Sequence, residues 1–460
     1  MLATLLNIAF YASTSLTLAI LLLSPSRYQP QSSSEQDGAD KPKTTVQILV
    51  LGDIGRSPRM QYHALSVAKG GGQVNIIGYH ESEVHPKITS HPRISIVALP
   101  PHPTCLQTSN KLLFLLFGPL KVLFQIGCLW WILGYRTKPA QWLLVQNPPS
   151  IPTLAIASLV CRLRNTNLII DWHNFGYTIL ALKLGEQHPL VRFSQRYEQT
   201  FGQYATAHLC VTNAMARVLQ QDFKLRAPIL PLHDRPAEHF QPITSRAVRE
   251  SFLLSLPQTE SVRPLLQFND LRVLVSSTSW TADEDFSILI DALCRYSALA
   301  QQANPPLPTI LAIITGKGPQ KEMYLSRIAE LEAAGKLEKV TIRTAWLSMD
   351  DYARLLASAS LGVSLHTSSS GVDLPMKVVD MFGAGLPVVG WNRFEAWSEL
   401  VTEGVNGRGF GSAEELLRHL VELFGDDDLL ERLREGARRE STRRWDGEWD
   451  PVAGKLLGLY

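Results

Sequence analysis

Only five cysteines occur among the 460 residues, at positions 105, 128, 161, 210 and 294, with no CxxC pair and no Cys/His cluster. An odd and scattered set gives no disulfide framework and fits reduced thiols in a reducing compartment. No spacing suits a zinc site. Excess charge of either sign is missing as well. Lys+Arg 44 against Asp+Glu 42 leaves a net +2, so bulk electrostatics give no case for a nucleic-acid partner. The chain is long enough for two domains with hydrophobic cores of their own.

Charge is absent altogether from residues 2–23, LATLLNIAFYASTSLTLAILLL. A helix of that length spans about 30 Å of hydrocarbon. No basic residue precedes the run, which argues against a cleaved signal peptide, whereas Arg27, Lys41 and Lys43 follow it. The run therefore reads as a single transmembrane signal-anchor with the rest of the chain on the cytosolic side. Residues 24–43, rich in Ser, Pro and Gln, read as a flexible tether.

Beyond residue 43, apolar runs alternate with helical segments. VQILVLGD (46–53), QVNIIGY (73–79), ISIVALP (94–100), WLLVQNP (142–148), LIIDWH (168–173) and HLCVTN (208–213) form one series. VLVSSTS (273–279), TILAIITGKG (309–318), VTIRTAW (340–346), LGVSLHTS (361–368) and LPVVGWN (386–392) form a second. Continuous apolar runs predict strands buried on both faces, hence parallel sheets covered by helices. PILPLHDRPAEHFQPI (228–243) has four prolines and no periodic face, and reads as the connection between domains. The fold class is thus α/β, two Rossmann-like doubly wound domains at 44–235 and 236–440 with a tail at 441–460. The segment KLLFLLFGPLKVLFQIGCLWWILGY (111–135) fits less well, because it is too apolar for an exposed helix. It reads either as a helix lying in a membrane interface or as a buried core helix of the first domain.

Chemistry-bearing residues collect where strands end. GDIGRSPRMQYHA (52–64) is neither a GxGxxG nor a Walker loop, yet it joins two glycines to Asp53, Arg56, Arg59 and His63 at a helix start, which favours an anion. IDWHNFGY (170–177) places His173 at a strand end. TGKGPQK (315–321) sets Lys317 between two glycines, where a flexible ammonium can neutralise phosphate. In HTSSSGVDLPMKVVDMFG (366–383), Ser368, Ser369, Ser370 and Gly371 precede a predicted helix whose first turn can offer free N–H groups to a phosphate. Further along that helix Asp380 can accept hydrogen bonds from both hydroxyls of a ribose. Together these describe a nucleotide site. ADED (282–285) is the nearest thing to a DxD pair and reads as an acid cluster at a helix N-terminus, so no metal is implied.

GDIGRSPRMQYHALS, IDWHNFGY, LHDRP, SSTSWTADEDFSILIDAL, ITGKGP and HTSSSGVDLPMKVVDMFG occur in this order across 46–410. In this the chain resembles the chitobiosyldiphosphodolichol β-mannosyltransferases of the endoplasmic reticulum, glycosyltransferases of the GT-B class. The resemblance implies transfer of mannose from GDP-mannose to a dolichol-linked GlcNAc2 diphosphate at the cytosolic face of that membrane. It also implies inversion to a β1,4 linkage in one displacement assisted by a general base. Many retaining GT-B enzymes carry two glutamates separated by seven residues. Here the second falls on Asp380 and the first on Val372, which has no carboxylate.

On this basis the donor is expected at Lys317, Ser368–Gly371, Lys377, Asp380 and Arg235. The acceptor is expected at Arg56, Arg59 and His63, and the general base at Asp53 or His173. His233 and Asp234 of LHDRP could serve as base or brace the interdomain hinge. No cofactor or metal is expected, and other dolichol-pathway mannosyltransferases are candidate partners. The rival readings are another lipid-linked glycosyltransferase using a different sugar nucleotide, and a non-catalytic membrane scaffold.

Overall fold

The computed structural model describes residues 7, 10–11, 13–15, 17, 24–30, 41–104, 111–267, 270–281 and 284–460. The expected anchor at 2–23 lies largely outside the described residues, as do 31–40 of the expected tether and 282–283 of the ADED cluster.

The chain forms two compact units. One comprises Met1–Leu209, Leu219–Leu230 and Asp450–Tyr460, the other Cys210–Val218 and Pro231–Trp449. The first is built on seven strands: β1 (Thr45–Asp53), β2 (Gln73–Tyr79), β3 (Ile94–Ala98), β4 (Trp142–Asn147), β5 (Asn167–Trp172), β6 (Ala207–Cys210) and β7 (Ile229–Pro231). Their order is β3-β2-β1-β4-β5-β6-β7, with β1 parallel to both β2 and β4. The central strands carry Ile48, Leu49, Val50, Leu144, Val145 and Ile170 with almost no exposure, as a sheet covered on both faces requires. The last eleven residues pack onto this unit, where Lys43 Nζ donates to the Leu459 carbonyl at 3.2 Å and Leu459 lies against Gly70.

The second unit has β8 (Leu271–Ser277), β9 (Thr309–Thr315), β10 (Val340–Ala345), β11 (Leu361–Ser364), β12 (Val388–Trp391) and β13 (Gly407–Phe410), in the order β10-β9-β8-β11-β12-β13. Every pairing is parallel. Sequence order reverses between β8 and β11, and open sheets of this kind take ligands at the carboxyl ends of the strands beside that reversal.

Three local expectations need correction. The first residues of the supposed flexible tether are fastened down. Arg164 donates to the Ser26 carbonyl at 3.0 Å and to Thr137 O at 2.8 Å, and Tyr28 N–H donates to Arg164 O at 2.7 Å. The Pro-rich 228–243 connection begins with a strand, β7, whose three residues are too few for periodicity to reveal and whose edge position tolerates its terminal proline. The helix expected to open at Gly371 starts at Met376, because 365–375 form a separate loop held by side chains. The apolar segment is a helix, Lys111–Trp131, continued by a π turn at Ile132–Arg136. It is neither a buried core helix nor fully exposed. Leu129, Ile132 and Leu133 are buried, while Leu120, Leu123 and Trp131 face outward.

Candidate active site

In the second unit the loops after β8, β9 and β11 form one continuous structure. Glu284, 3 % exposed, accepts from Thr278 Oγ1 at 2.6 Å and from Ser279 N–H at 2.7 Å, and pairs with Lys377. It is a brace between two loops, while Asp285 of the same cluster is the helix-start acid expected, accepting from Ser287 N–H at 3.0 Å where the following helix begins. The next loop is pressed against the same residues. A Cβ on Gly316 would lie 1.8 Å from Thr278 O, and one on Gly318 would lie 1.7 Å from Ser279 O, so only glycine fits on either side of Lys317. The Lys317 ammonium stands 4.0 Å above the exposed Trp346 ring and makes no ion pair among the described residues.

The 365–375 loop is organised by Asp373, a residue that sequence reasoning did not single out. Its carboxylate receives His366 Nε2 at 3.1 Å, the Ser368 hydroxyl and, at 3.4 Å, the Ser370 hydroxyl. Burial alone would raise its pKa, but these hydrogen bonds and the His366 charge bring it below the ordinary value. The serine hydroxyls expected to face a phosphate are therefore partly engaged inside the protein. Ser368 and Gly371 both adopt left-handed backbone, φ 57° and 74°. Nothing lies within 4 Å of a Cβ built on Gly371, so its role is conformational rather than to admit a close neighbour. Val378 N–H already bonds Pro375 O at 2.9 Å, which leaves Met376 and Lys377 as the first-turn amides with no partner in the helix.

Asp380 is partly buried on that helix. Burial first, and the nearby Asp234 second, push its carboxyl up to about 8. Tyr352, raised by its own burial and then by Asp380, bonds Ser277 Oγ at 2.8 Å at the end of β8. Strand order thus brings Lys317, the 368–371 loop, Lys377 and Asp380 to one edge of the sheet. Arg235 does not join them. Its guanidinium, 5 % exposed, is clamped by Glu440 at 2.8 Å and Glu448 at 2.6 Å, so its charge is already matched. His233 pairs with Glu399 at 2.9 Å. Glu399 also accepts the backbone N–H groups of Asn213 and Ala214, and these bonds outweigh burial to bring its pKa down to about 2. This is a bracing role for His233.

In the first unit, Arg59 and His63 are not surface groups awaiting an anion. Both are buried and turned onto Asp171, Arg59 through two bonds of 2.8 and 2.9 Å and His63 through one of 3.2 Å. Burial would raise Asp171, but Arg59 and the two histidines hold it well below the usual carboxylate range. His173, one-quarter exposed, completes the cluster with Nε2 2.8 Å from Asp171 Oδ2. An ionised carboxylate only accepts, so Nε2 carries a proton, and in the neutral ring Nδ1 is left as a lone-pair acceptor. Asp171 lies two residues before His173, and the strand's two-residue period, which sets both on one side, was the available sequence signal.

Asp53 has a different character. One oxygen accepts from the backbone N–H groups of Gly55, Glu81 and Ser82 at 3.3, 3.1 and 3.2 Å. The Ser82 side chain, which also hydrogen-bonds it, and these amides overcome burial and lower its pKa, making it a weak proton acceptor that pins the 81–82 loop. Arg56, with its side chain 79 % exposed, pairs only at the surface, 3.5 Å from Asp53 Oδ2, and keeps most of its guanidinium open to solvent.

Residues 272–426 match the family described as Glycosyl transferases group 1. Over 99 % of both chains the protein is 52 % identical to the chitobiosyldiphosphodolichol beta-mannosyltransferase of Arthroderma benhamiae. It is 44 % identical to the protein of that name from Yarrowia lipolytica, over 91 % of this chain and 87 % of the relative. Among solved structures, sucrose-phosphate synthase from Thermosynechococcus elongatus superposes with a TM-score of 0.65 over 91 % of this chain and 98 % of its own, at 12 % identity, a likeness of fold alone. That fold is GT-B, with two Rossmann-like domains each built on a parallel sheet. The chain is a glycosyltransferase, and it belongs to the chitobiosyldiphosphodolichol beta-mannosyltransferase family.

Proposed function

We propose that the protein transfers mannose from GDP-mannose to the 4-hydroxyl of a dolichol-linked GlcNAc2 diphosphate, forming a β1,4 linkage. The observation that carries this reading is the chain-long likeness to fungal enzymes of that name. The donor is assigned to the second unit. Lys317 and the amides of Met376 and Lys377 face the diphosphate, and Asp380, when ionised, takes the two ribose hydroxyls. No metal is invoked, because these groups supply the positive charge that the departing GDP needs.

The first unit is assigned the acceptor and its proton. His173 Nδ1 removes the proton from the attacking hydroxyl while Asp171 holds the ring and stabilises the imidazolium that forms, the arrangement by which a carboxylate supports a histidine base. The oxygen attacks the anomeric carbon opposite the GDP oxygen, one C–O bond forms as the other breaks, and α becomes β. Arg56 meets the acceptor diphosphate. The reaction is placed at the cytosolic face of the endoplasmic reticulum membrane, with residues 2–23 as the anchor.

The test is incubation of the purified protein with GDP-mannose and a GlcNAc2-diphosphate lipid, followed by digestion with anomer-specific mannosidases. A product released by β-mannosidase and not by α-mannosidase is expected. An α-linked product or turnover of a UDP-sugar in its place overturns the assignment. No turnover with any sugar nucleotide points to a scaffold.

A further inference from the structure

The first unit contains a cavity of about 720 Å³ between the chain leaving β3 and the long apolar helix. Sites for small molecules commonly fall between about 300 and 1,000 Å³. Leu99 lies on one wall and Phe124, Gly127, Trp131 and Ile132 on the other. Its described lining has no acidic side chain and a single cation, Arg136, which is exposed. A Cβ built on Gly127 meets nothing within 4 Å, so the helix is bare where it borders this space.

The wall of the cavity is also where the N-terminal apolar run joins the unit. Pro25 lies 3.9 Å from a Cβ built on Gly134. Arg164 binds the Leu133 and Thr137 carbonyls while holding Ser26, so the chain leaving residues 2–23 is fixed to the 132–137 turn. Trp131 and Tyr135, both exposed, stack with ring centroids 5.6 Å apart on the same turn. Aromatic rings of this kind favour the boundary between lipid and water. Among the described residues, Phe117–Arg136 is also the one helix long and apolar enough to cross a membrane.

We propose that this cavity receives the isoprenoid segment nearest the diphosphate of the lipid-linked acceptor, drawn from the bilayer beside the anchor. This rests on the reading of the acceptor as lipid-linked. The apolar lining excludes the sugar, and the chain that follows residues 2–23 is tied at Ser26 and Tyr28 to Arg164, which also holds the 132–137 turn bordering the cavity. The cavity then makes the chain nearest the diphosphate part of what the enzyme recognises. Burial of even two methylene groups is worth about tenfold in affinity.

The test uses the full-length protein in detergent, wild type and Gly127→Phe, which fills the cavity from a position with free space. Two acceptors are compared, GlcNAc2 diphosphate on dolichol and the same diphosphate capped by methyl. The expected result is a KM for the dolichyl acceptor raised tenfold or more in Gly127→Phe, with the methyl-capped acceptor and the Kd for GDP unchanged. Equal loss on both acceptors, or no loss on either, overturns the proposal. Wild type inactive on both acceptors defeats the proposed function instead. The cavity is then decided by photolabelling with a diazirine-bearing isoprenyl diphosphate. Labelling of residues 117–136 in wild type but not in Gly127→Phe supports it, and equal or absent labelling overturns it.

Discussion

His173 Nε2 and Asp171 Oδ2 lie 2.8 Å apart, and the same carboxylate is gripped by Arg59 through two bonds. A buried acid held ionised by a buried guanidinium fixes the proton of His173 on one nitrogen and presents the other as a base. Replacement of His173 by Ala is expected to lower kcat by about 10²–10⁴-fold while the Kd for GDP stays within twofold. Steady-state kinetics with GDP titration checks both numbers.

Asp171→Ala attacks the same base from behind. It leaves Arg59 buried without its partner, and breaking such a pair costs about 3–5 kcal/mol. A lower denaturation midpoint is therefore expected together with lost activity. Asp53→Asn, by contrast, should loosen the 81–82 loop at a cost of about 1–3 kcal/mol and retain most of kcat, because Asp53 spends its charge on backbone amides. Urea denaturation and activity measured side by side separate the two.

Lys317 stands exposed over Trp346, so its removal should not disturb folding. Lys317→Ala is expected to weaken GDP binding by about tenfold or more, the worth of a charged hydrogen bond, while guanosine binds as it does to wild type. Equal loss for guanosine would place Lys317 away from the diphosphate.

Asp380 carries a pH dependence of definite sign. Its carboxyl is raised from 3.8 to about 8, so between these values the folded protein holds a proton that the unfolded chain releases. The stability this gives is complete below pH 3.8 and is lost as pH rises through about 8. Asp380→Asn cannot ionise and should lack that part of the slope, read as Tm from pH 5 to 9. Since only the ionised acid accepts from both ribose hydroxyls, GDP should bind wild type more tightly as pH approaches 8, a trend absent in Asp380→Asn.

Much of the fold could be read from the sequence, because a strand buried on both faces is written as an uninterrupted apolar run. β1, β4, β8 and β9 announce themselves in this way. β7 does not, being three residues long and closed by a proline. The site was legible as a set of loops but less so as a set of contacts. Nothing local tells that Arg56 stays exposed while Arg59 three residues on is buried, because the difference lies in Asp171, more than a hundred positions away. Arg235 was drawn inward in the same way by Glu440 and Glu448. The serines of 368–370 looked like phosphate ligands because Asp373 is only one more residue of the loop until the chain folds around it.

The central claim is that the second unit alone holds the nucleotide, at the ends of β8, β9 and β11. Calorimetric titration of GDP and UDP into wild type, Lys317→Ala, Asp380→Asn, Arg56→Ala and His173→Ala tests it most directly. The account predicts GDP binding stronger than UDP binding, weakened by the first two substitutions and untouched by the last two. GDP binding indifferent to Lys317 and Asp380, or lost with Arg56 or His173, would contradict it.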